Sequence, residues 1–229
     1  KIQASDMAVP KSDRLTSTKL IKVMVQDIND NSPRFVSPPA TAVLDGTGLG
    51  TTIMTLSAED LDSGDNGDVS YQLLGEKGIF GLNPSSGALT LKSSLSKLLY
   101  EFSVQASDRG KPQQSSVQKI TVFRRGTVGG GPTFSHSVYN TTLSENINVG
   151  SAVIHVSASD SGLKYFITKD NSGGSFDMNE NSGVITTATE IDREGPRGVA
   201  FELDVYAVDT KGSVPKTSKV QVLVTILDQ

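Results

Sequence analysis

Four of the five side chains in Asp27-Ile28-Asn29-Asp30-Asn31 carry oxygen. Calcium takes six to eight oxygen ligands, drawn from carboxylates, amide side chains and backbone carbonyls. A short extended run of Asp and Asn supplies all three kinds. Pro33 stiffens the exit from this run. Further acids lie downstream, at Asp60 and Asp62 and at Asp108. Asp and Asn are also plain turn formers, so each of these motifs alone reads equally as a solvated loop.

Other chemistries have little to work with. The chain has no cysteine, which removes disulfide frameworks, zinc–thiolate clusters and thiol nucleophiles. Its two histidines, His136 and His155, sit in short segments of alternating apolar and polar residues, where a histidine on the solvent face of a strand is the ordinary reading. The pair Asp60/Asp62 could serve acid–base chemistry in principle. It lies beside a domain joint with no cleft-forming element, so the chain reads as no enzyme. A net charge of −4 with a pI near 5.2 argues against nucleic acid as a partner. No apolar run approaches the roughly 18 residues of a membrane span. The chain opens in mid-pattern without a signal peptide, which reads as a segment of a longer protein.

The elements that must carry these acids repeat. Ala4-Ser5-Asp6, Ala106-Ser107-Asp108 and Ala207-Val208-Asp209 recur at intervals near 100 residues, the size of one sandwich domain. Tyr100, Phe102, Val104 and Ala106 alternate with polar neighbours, as do Phe201, Leu203, Val205 and Ala207. Ile120 and Val122 close one repeat, and Val220, Val222, Val224 and Ile226 the next. Ile21, Val23 and Val25 offer a similar strand in the opening stub. Turn signals separate the strands: Asp65-Asn66-Gly67, Asn83-Pro84-Ser85-Ser86-Gly87 and Asn181-Ser182-Gly183. The expected fold is all-β, a tandem array of sandwiches. The expected units are residues 1–31 (the end of one repeat with its linker), 32–125, a Gly-rich linker at 126–131, and 132–229.

Asp-x-Asn-Asp-Asn-x-Pro-x-Phe, complete at residues 27–35, resembles the linker between cadherin repeats. Its companions follow in order: the loop from Ala58 to Gly67 with Asp60, Asp62 and Asn66; Asp108 with Gly110 and Pro112; Glu145-Asn146; and Asp192-Arg193-Glu194. The resemblance spans essentially the whole chain. It implies seven-stranded Greek-key sandwiches and Ca2+ between successive repeats. On the first junction it places Asp27, Asn29, Asp30, Asn31, Asp60, Asp62, Asn66 and Asp108, with Asn31 and Asn66 acting through backbone carbonyls. The upstream partners of that junction would precede Lys1. Glu145, Asp192, Glu194 and Asp228 form the upstream half of a third junction. The implied role is a calcium-dependent cell–cell adhesion ectodomain on the cell surface. Its parent would be membrane-anchored, and its partners other cadherin molecules, homophilic or heterophilic, met through the full ectodomain. The alternative is a calcium-stabilised spacer with no adhesive role of its own.

The second junction departs from that pattern. Gly126-Thr127-Val128-Gly129-Gly130 stands where the Asp/Asn run should be. Asp45 replaces the early glutamate, Ser96-Lys97-Leu98 stands near the place of Asp-Arg-Glu, and Asp160-Ser161-Gly162 keeps one aspartate of two. Arg124 and Arg125 enter the linker, where their charge would repel a cation. The reading is a calcium-free joint, hinged or held in a bend by direct contact. Such gaps suit long cadherins of the tip-link protocadherin or giant atypical type. Asn140-Thr141-Thr142 is an N-glycosylation sequon, with Asn140 the acceptor.

Overall fold

The computed structural model describes residues 1–7, 9–126, 130–195 and 198–228. Positions 127–129 of the Gly-rich linker and Gln229 at the end of the last linker motif lie outside them.

Strands β1 (Ile2–Ser5) and β2 (Thr16–Lys19) form an exposed antiparallel hairpin. The expected strand at Ile21, Val23 and Val25 is absent. These side chains are exposed, and no strand among the described residues pairs with the segment. Alternation alone does not make a strand; its N–H and C=O groups need a neighbouring ladder.

The first full repeat contains β3 (Arg34–Phe35), β4 (Ala40–Leu44), β5 (Thr52–Thr55), β6 (Ala58–Glu59), β7 (Ser70–Leu74), β8 (Phe80–Leu82), β9 (Ala88–Leu91), β10 (Leu99–Ser107) and β11 (Ser115–Arg125). One sheet runs β4-β11-β10-β7 and the facing one β5-β9-β8, with β3 pairing β6 at one end. The second repeat contains β12 (Val138–Ser144), β13 (Ala152–His155), β14 (Lys164–Asp170), β15 (Phe176–Met178), β16 (Val184–Thr187), β17 (Ala200–Asp209) and β18 (Lys216–Leu227). Its sheets are β12-β18-β17-β14 and β13-β16-β15. In each repeat a strand near the entry pairs parallel with the leaving one, β4 with β11 and β12 with β18, while the other pairings are antiparallel.

Alternation dictates the cores. Tyr100, Phe102, Val104 and Ala106 all face inward and are buried around Phe80, with Ile120 and Val122 beside them. Phe201, Leu203, Val205, Val222 and Val224 do the same in the second repeat. Strand β17 then breaks the pattern. Tyr206 and Val208, on its outer face, are also buried.

The first repeat covers that face. Phe123, on the outer face of β11, stacks on Phe166 of β14 with ring centroids 5.4 Å apart and planes 23° apart. It also lies 5.3 Å from the Tyr206 ring. Ala40, Ala42 and Leu99 complete the patch on the first repeat, and Val208 on the second. At its edge Lys119 reaches Glu180 across the two repeats at 3.5 Å, and Arg34 Nη2 donates to Gly173 O at 3.3 Å. The linker is drawn close. A Cβ on Gly131 would lie 2.3 Å from Thr217 O, so only glycine passes there.

Candidate metal junctions

The first junction is built by three loops converging on the linker. The strand end of β10 delivers Asp108, which is fully buried. Its Oδ1 accepts from Gly110 N at 3.0 Å, and both its oxygens accept from Gln114 N at 3.0–3.1 Å. Into this turn reaches Asn29, whose Nδ2 donates to Asp108 Oδ2 at 3.0 Å and to Pro112 O at 2.6 Å. Gln114 Nε2 returns a bond to Asn29 O at 2.7 Å. Gly110 makes the approach possible, since a Cβ on it would lie 2.4 Å from Asn29 Nδ2.

The loop after β6 supplies the other wall. Asp62 N donates to Asp60 Oδ1 at 3.0 Å. Asn31 binds Asp62 twice, through its backbone N at 3.0 Å and its Nδ2 at 2.5 Å. A 3-10 turn at Gly64–Gly67 presents Asn66, whose Nδ2 donates to Asp27 Oδ2 at 3.0 Å, and Ser63 N donates to the same oxygen at 3.0 Å. Burial pushes the Asp62 carboxyl up. The hydrogen bonds from Asn31, with smaller contributions from Asp30, outweigh it and hold the group below its ordinary 3.8.

Three hydrogen-bonded groups thus line the linker: Asp27 with Asn66, Asn29 with Asp108, and Asn31 with Asp62 and Asp60. Asp30 stands at the exposed edge of the last, where its Oδ1 accepts from Asn31 Nδ2 at 2.9 Å. Two acceptors in these groups, Asn29 Oδ1 and Asp60 Oδ2, are buried without a hydrogen-bond donor. Buried acceptors left unmatched are costly, and oxygen without a proton donor is what a hard cation takes. The residues fit calcium.

At the second junction Asp45 is already engaged. Arg124 clasps Asp45 through Nε at 2.7 Å and Nη2 at 2.9 Å. That bond holds the guanidinium above its usual range, although burial pulls it down, so it stays charged. Near the place of Asp-Arg-Glu, the backbone N–H groups of Ser96 and Lys97 donate to Tyr100 Oη at 2.7 and 3.0 Å. Lys97 also pairs with Glu76 at 3.3 Å.

At the third junction Glu145, Asp192 and Glu194 converge, with one oxygen from each lying within 4.8 Å of the others. Glu145 is buried and the other two are exposed. Backbone bonds set them: Glu194 N donates to Asp192 Oδ1 at 3.0 Å and Arg193 N to Glu145 Oε2 at 3.4 Å. Asp228 stands outside this trio and pairs with Arg193 at 3.3 Å. Asn140 is exposed on β12, an edge strand. His155 is exposed on β13. His136 lies in a bend before β12 rather than in a strand, with Ser135 Oγ 3.0 Å from its Nδ1.

Sequence reasoning missed Gln114 and Ser63, whose backbone and amide donors orient Asp108, Asn29 and Asp27. Neither type is diagnostic, and Gln114 became meaningful only once folding brought it against residue 29.

The family model for the cadherin domain matches residues 40–123 and 139–227. The chain belongs to the cadherin family. It is similar to mouse (Mus musculus) protocadherin Fat 4, 33% identical over 99% of this chain and 5% of that protein. It is similar also to mouse cadherin-23, 34% identical over 94% of this chain and 7% of that protein. The chain therefore spans a small fraction of these relatives. Among solved structures, mouse cadherin-23 EC22-24 is 26% identical, covering 99% of this chain and 73% of that one, with a TM-score of 0.46. The relatives are long cadherins of atypical type. Cadherins are adhesion proteins rather than enzymes, and cadherin domains in general bind Ca2+. No helix among the described residues is long and apolar enough to cross a membrane.

Proposed function

We propose that this chain is a segment of a cell-surface adhesion ectodomain, stiffened by calcium at its first junction and bent without calcium at its second. The observation that carries the first half is the pair of buried, donorless acceptors Asn29 Oδ1 and Asp60 Oδ2 inside an acid-rich junction. Asp27, Asn29, Asp30, Asn31, Asp60, Asp62, Asn66 and Asp108 would hold the ion. Bound there, calcium supplies positive charge that offsets the mutual repulsion of these carboxylates and ties the linker to both loops. The chain's own bonds preorganise the arrangement: Asn29 anchors the linker to the Asp108 turn, and Asn31 anchors it to the Asp60–Asp62 loop.

The second half is supported by the Arg124–Asp45 pair and by the apolar patch around Phe123 and Phe166. Between the hinge and the fixed bend, the buried outer-face rings favour the bend, because aromatic faces left in water gain from packing together. Glu145, Asp192, Glu194 and Asp228 would begin a third, calcium-binding junction. In this reading the parent protein is anchored in the membrane of one cell and meets other cadherin molecules through its full ectodomain.

Calorimetric titration of this chain with calcium tests the metal assignment. Uptake should fall at least tenfold in an Asp60→Asn/Asp62→Asn double variant and persist in part through the third-junction acids. Uptake unchanged by that variant would remove the first junction from the reading.

A further inference from the structure

The turn after each Ala-x-Asp segment has the same backbone bond in both repeats. Gly110 N donates to Asp108 Oδ1 at 3.0 Å, and Lys211 N donates to Asp209 Oδ1 at 2.9 Å. Gly110 and Lys211 therefore occupy equivalent places. So do Asp62 and Gly162, each four residues beyond the matching Ala58 and Ala158.

Between the repeats these two places exchange both size and charge. The first repeat has an acid at 62 and open space at Gly110, which the linker's Asn29 fills. The second repeat has open space at Gly162 and a cation at Lys211. A Cβ built on Gly162 would lie 3.2 Å from Lys211 Nζ, so the ammonium stands where an acidic side chain at 162 would begin. That ammonium donates to the carbonyl oxygen of Ser161 and lies 3.5 Å from Ser161 Oγ.

We propose that Lys211 is the built-in cation of the second junction. An ammonium is a compact charge with three donors on a flexible stem. Here it ties the 159–162 loop to the Asp209 turn, as a bound metal would tie the corresponding loops of the first junction. Being covalently attached, it does not dissociate and needs no calcium in the medium. Its charge also disfavours a second cation beside it. The inference rests on the proposed calcium-free reading of this junction and adds what orders the loops in calcium's place.

Hydrogen exchange on the whole chain, with calcium and with chelator, tests it. In the wild type, amides at 160–164 and 210–213 should exchange at the same rate in both conditions. Lys211→Met keeps the stem but removes the charge and donors. It should speed exchange at 160–164 about fivefold, as expected for an exposed charge-assisted bond, with no recovery on adding calcium. Lys211→Arg should retain most of the protection. Unchanged exchange in Lys211→Met would overturn the role of Lys211 alone. Calcium-dependent slowing in the wild type would overturn the calcium-free reading and this proposal together.

Discussion

Arg124 grips Asp45 at two points, with Nε 2.7 Å from Oδ1 and Nη2 2.9 Å from Oδ2. Asp45 stands where the second repeat has Glu145. Their backbones are placed alike: Asp45 N donates to Arg125 O, and Glu145 N to Leu227 O. The second repeat thus leaves its acid with two others, Asp192 and Glu194, while the first neutralises it from within.

Replacing Arg124 by alanine should therefore free Asp45 without creating a metal site, because the linker still offers no carboxylate. The side chains are 21% and 34% exposed, so the loss should be about 1 kcal/mol or less. That corresponds to a fall of roughly 4–8 °C or less in the Tm of the first repeat, a domain of ordinary small size. A new calcium heat in titration of this variant would contradict the assignment.

Phe123→Ala should open the bend and leave each repeat folded, since Phe123 sits on an outer sheet face and not in either sandwich core. The lost ring burial is on the order of 2–3 kcal/mol of docking. Small-angle scattering should show a larger radius of gyration for this variant and for Phe166→Ala. Equal radii in variant and wild type would mean that the rings do not hold the repeats together.

Acid should loosen the same contact. The Glu180 carboxyl is held below its ordinary 4.5 by Lys164 first, against a penalty from burial, and then by Lys119. A carboxylate with a lowered folded value contributes stability present above 4.5 and lost as the pH falls through that lowered value. Lys119 has the opposite sign. Glu101 chiefly raises it above 10.5, so its contribution holds below that value and disappears as the pH rises through the raised one. Lys164 belongs to the same repeat as Glu180, so only the smaller Lys119 share acts between the repeats. Scattering between pH 7 and pH 3 should show a slight loosening of the docking at the acid end, and less of it in Glu180→Gln.

Gly110→Ala places a Cβ 2.4 Å from Asn29 Nδ2 and 2.6 Å from Asn66 Oδ1. Asn29 must then leave Asp108, so the variant should lose about 1–3 kcal/mol and most of its stabilisation by calcium. Melting curves with calcium and with chelator measure both effects. A full calcium-induced rise in Tm would show that Asn29 is dispensable.

Asn140 should carry a glycan when the chain is secreted from eukaryotic cells, because its side chain is exposed on an edge strand. Mass spectrometry of the wild type and of Asn140→Gln should differ by that glycan. Equal masses, apart from the substitution, would remove it.

What the sequence made legible follows from range. The Asp/Asn linker and the alternation of β10 and β17 are local patterns, and both led to the observed elements. Arg124 and Asp45 each drew notice singly, but they lie 79 residues apart and their pairing is a product of folding. Phe166 and Tyr206 were hidden for another reason. Alternation identifies one buried face of a strand, and a second face becomes buried only when another domain covers it. A trace was present in Val122-Phe123, where two large apolar residues stand in succession. Ile21, Val23 and Val25 show the converse, a strand-like pattern with no described strand to pair against.

The parallel pairing of an early strand with the last one gives each repeat a direction of strength. The chain passes through β4 or β12 and leaves on the strand beside it, so a pull along the chain slides the two strands past each other. Every hydrogen bond between them is then loaded at once in shear, instead of one after another as in unzipping a hairpin. The first repeat's clasp has five registered pairs, Thr121↔Ala40 through Arg125↔Leu44. The second has seven, Val138↔Gln221 through Ser144↔Leu227. The shorter clasp makes the first repeat the expected first of the two sandwiches to yield under load.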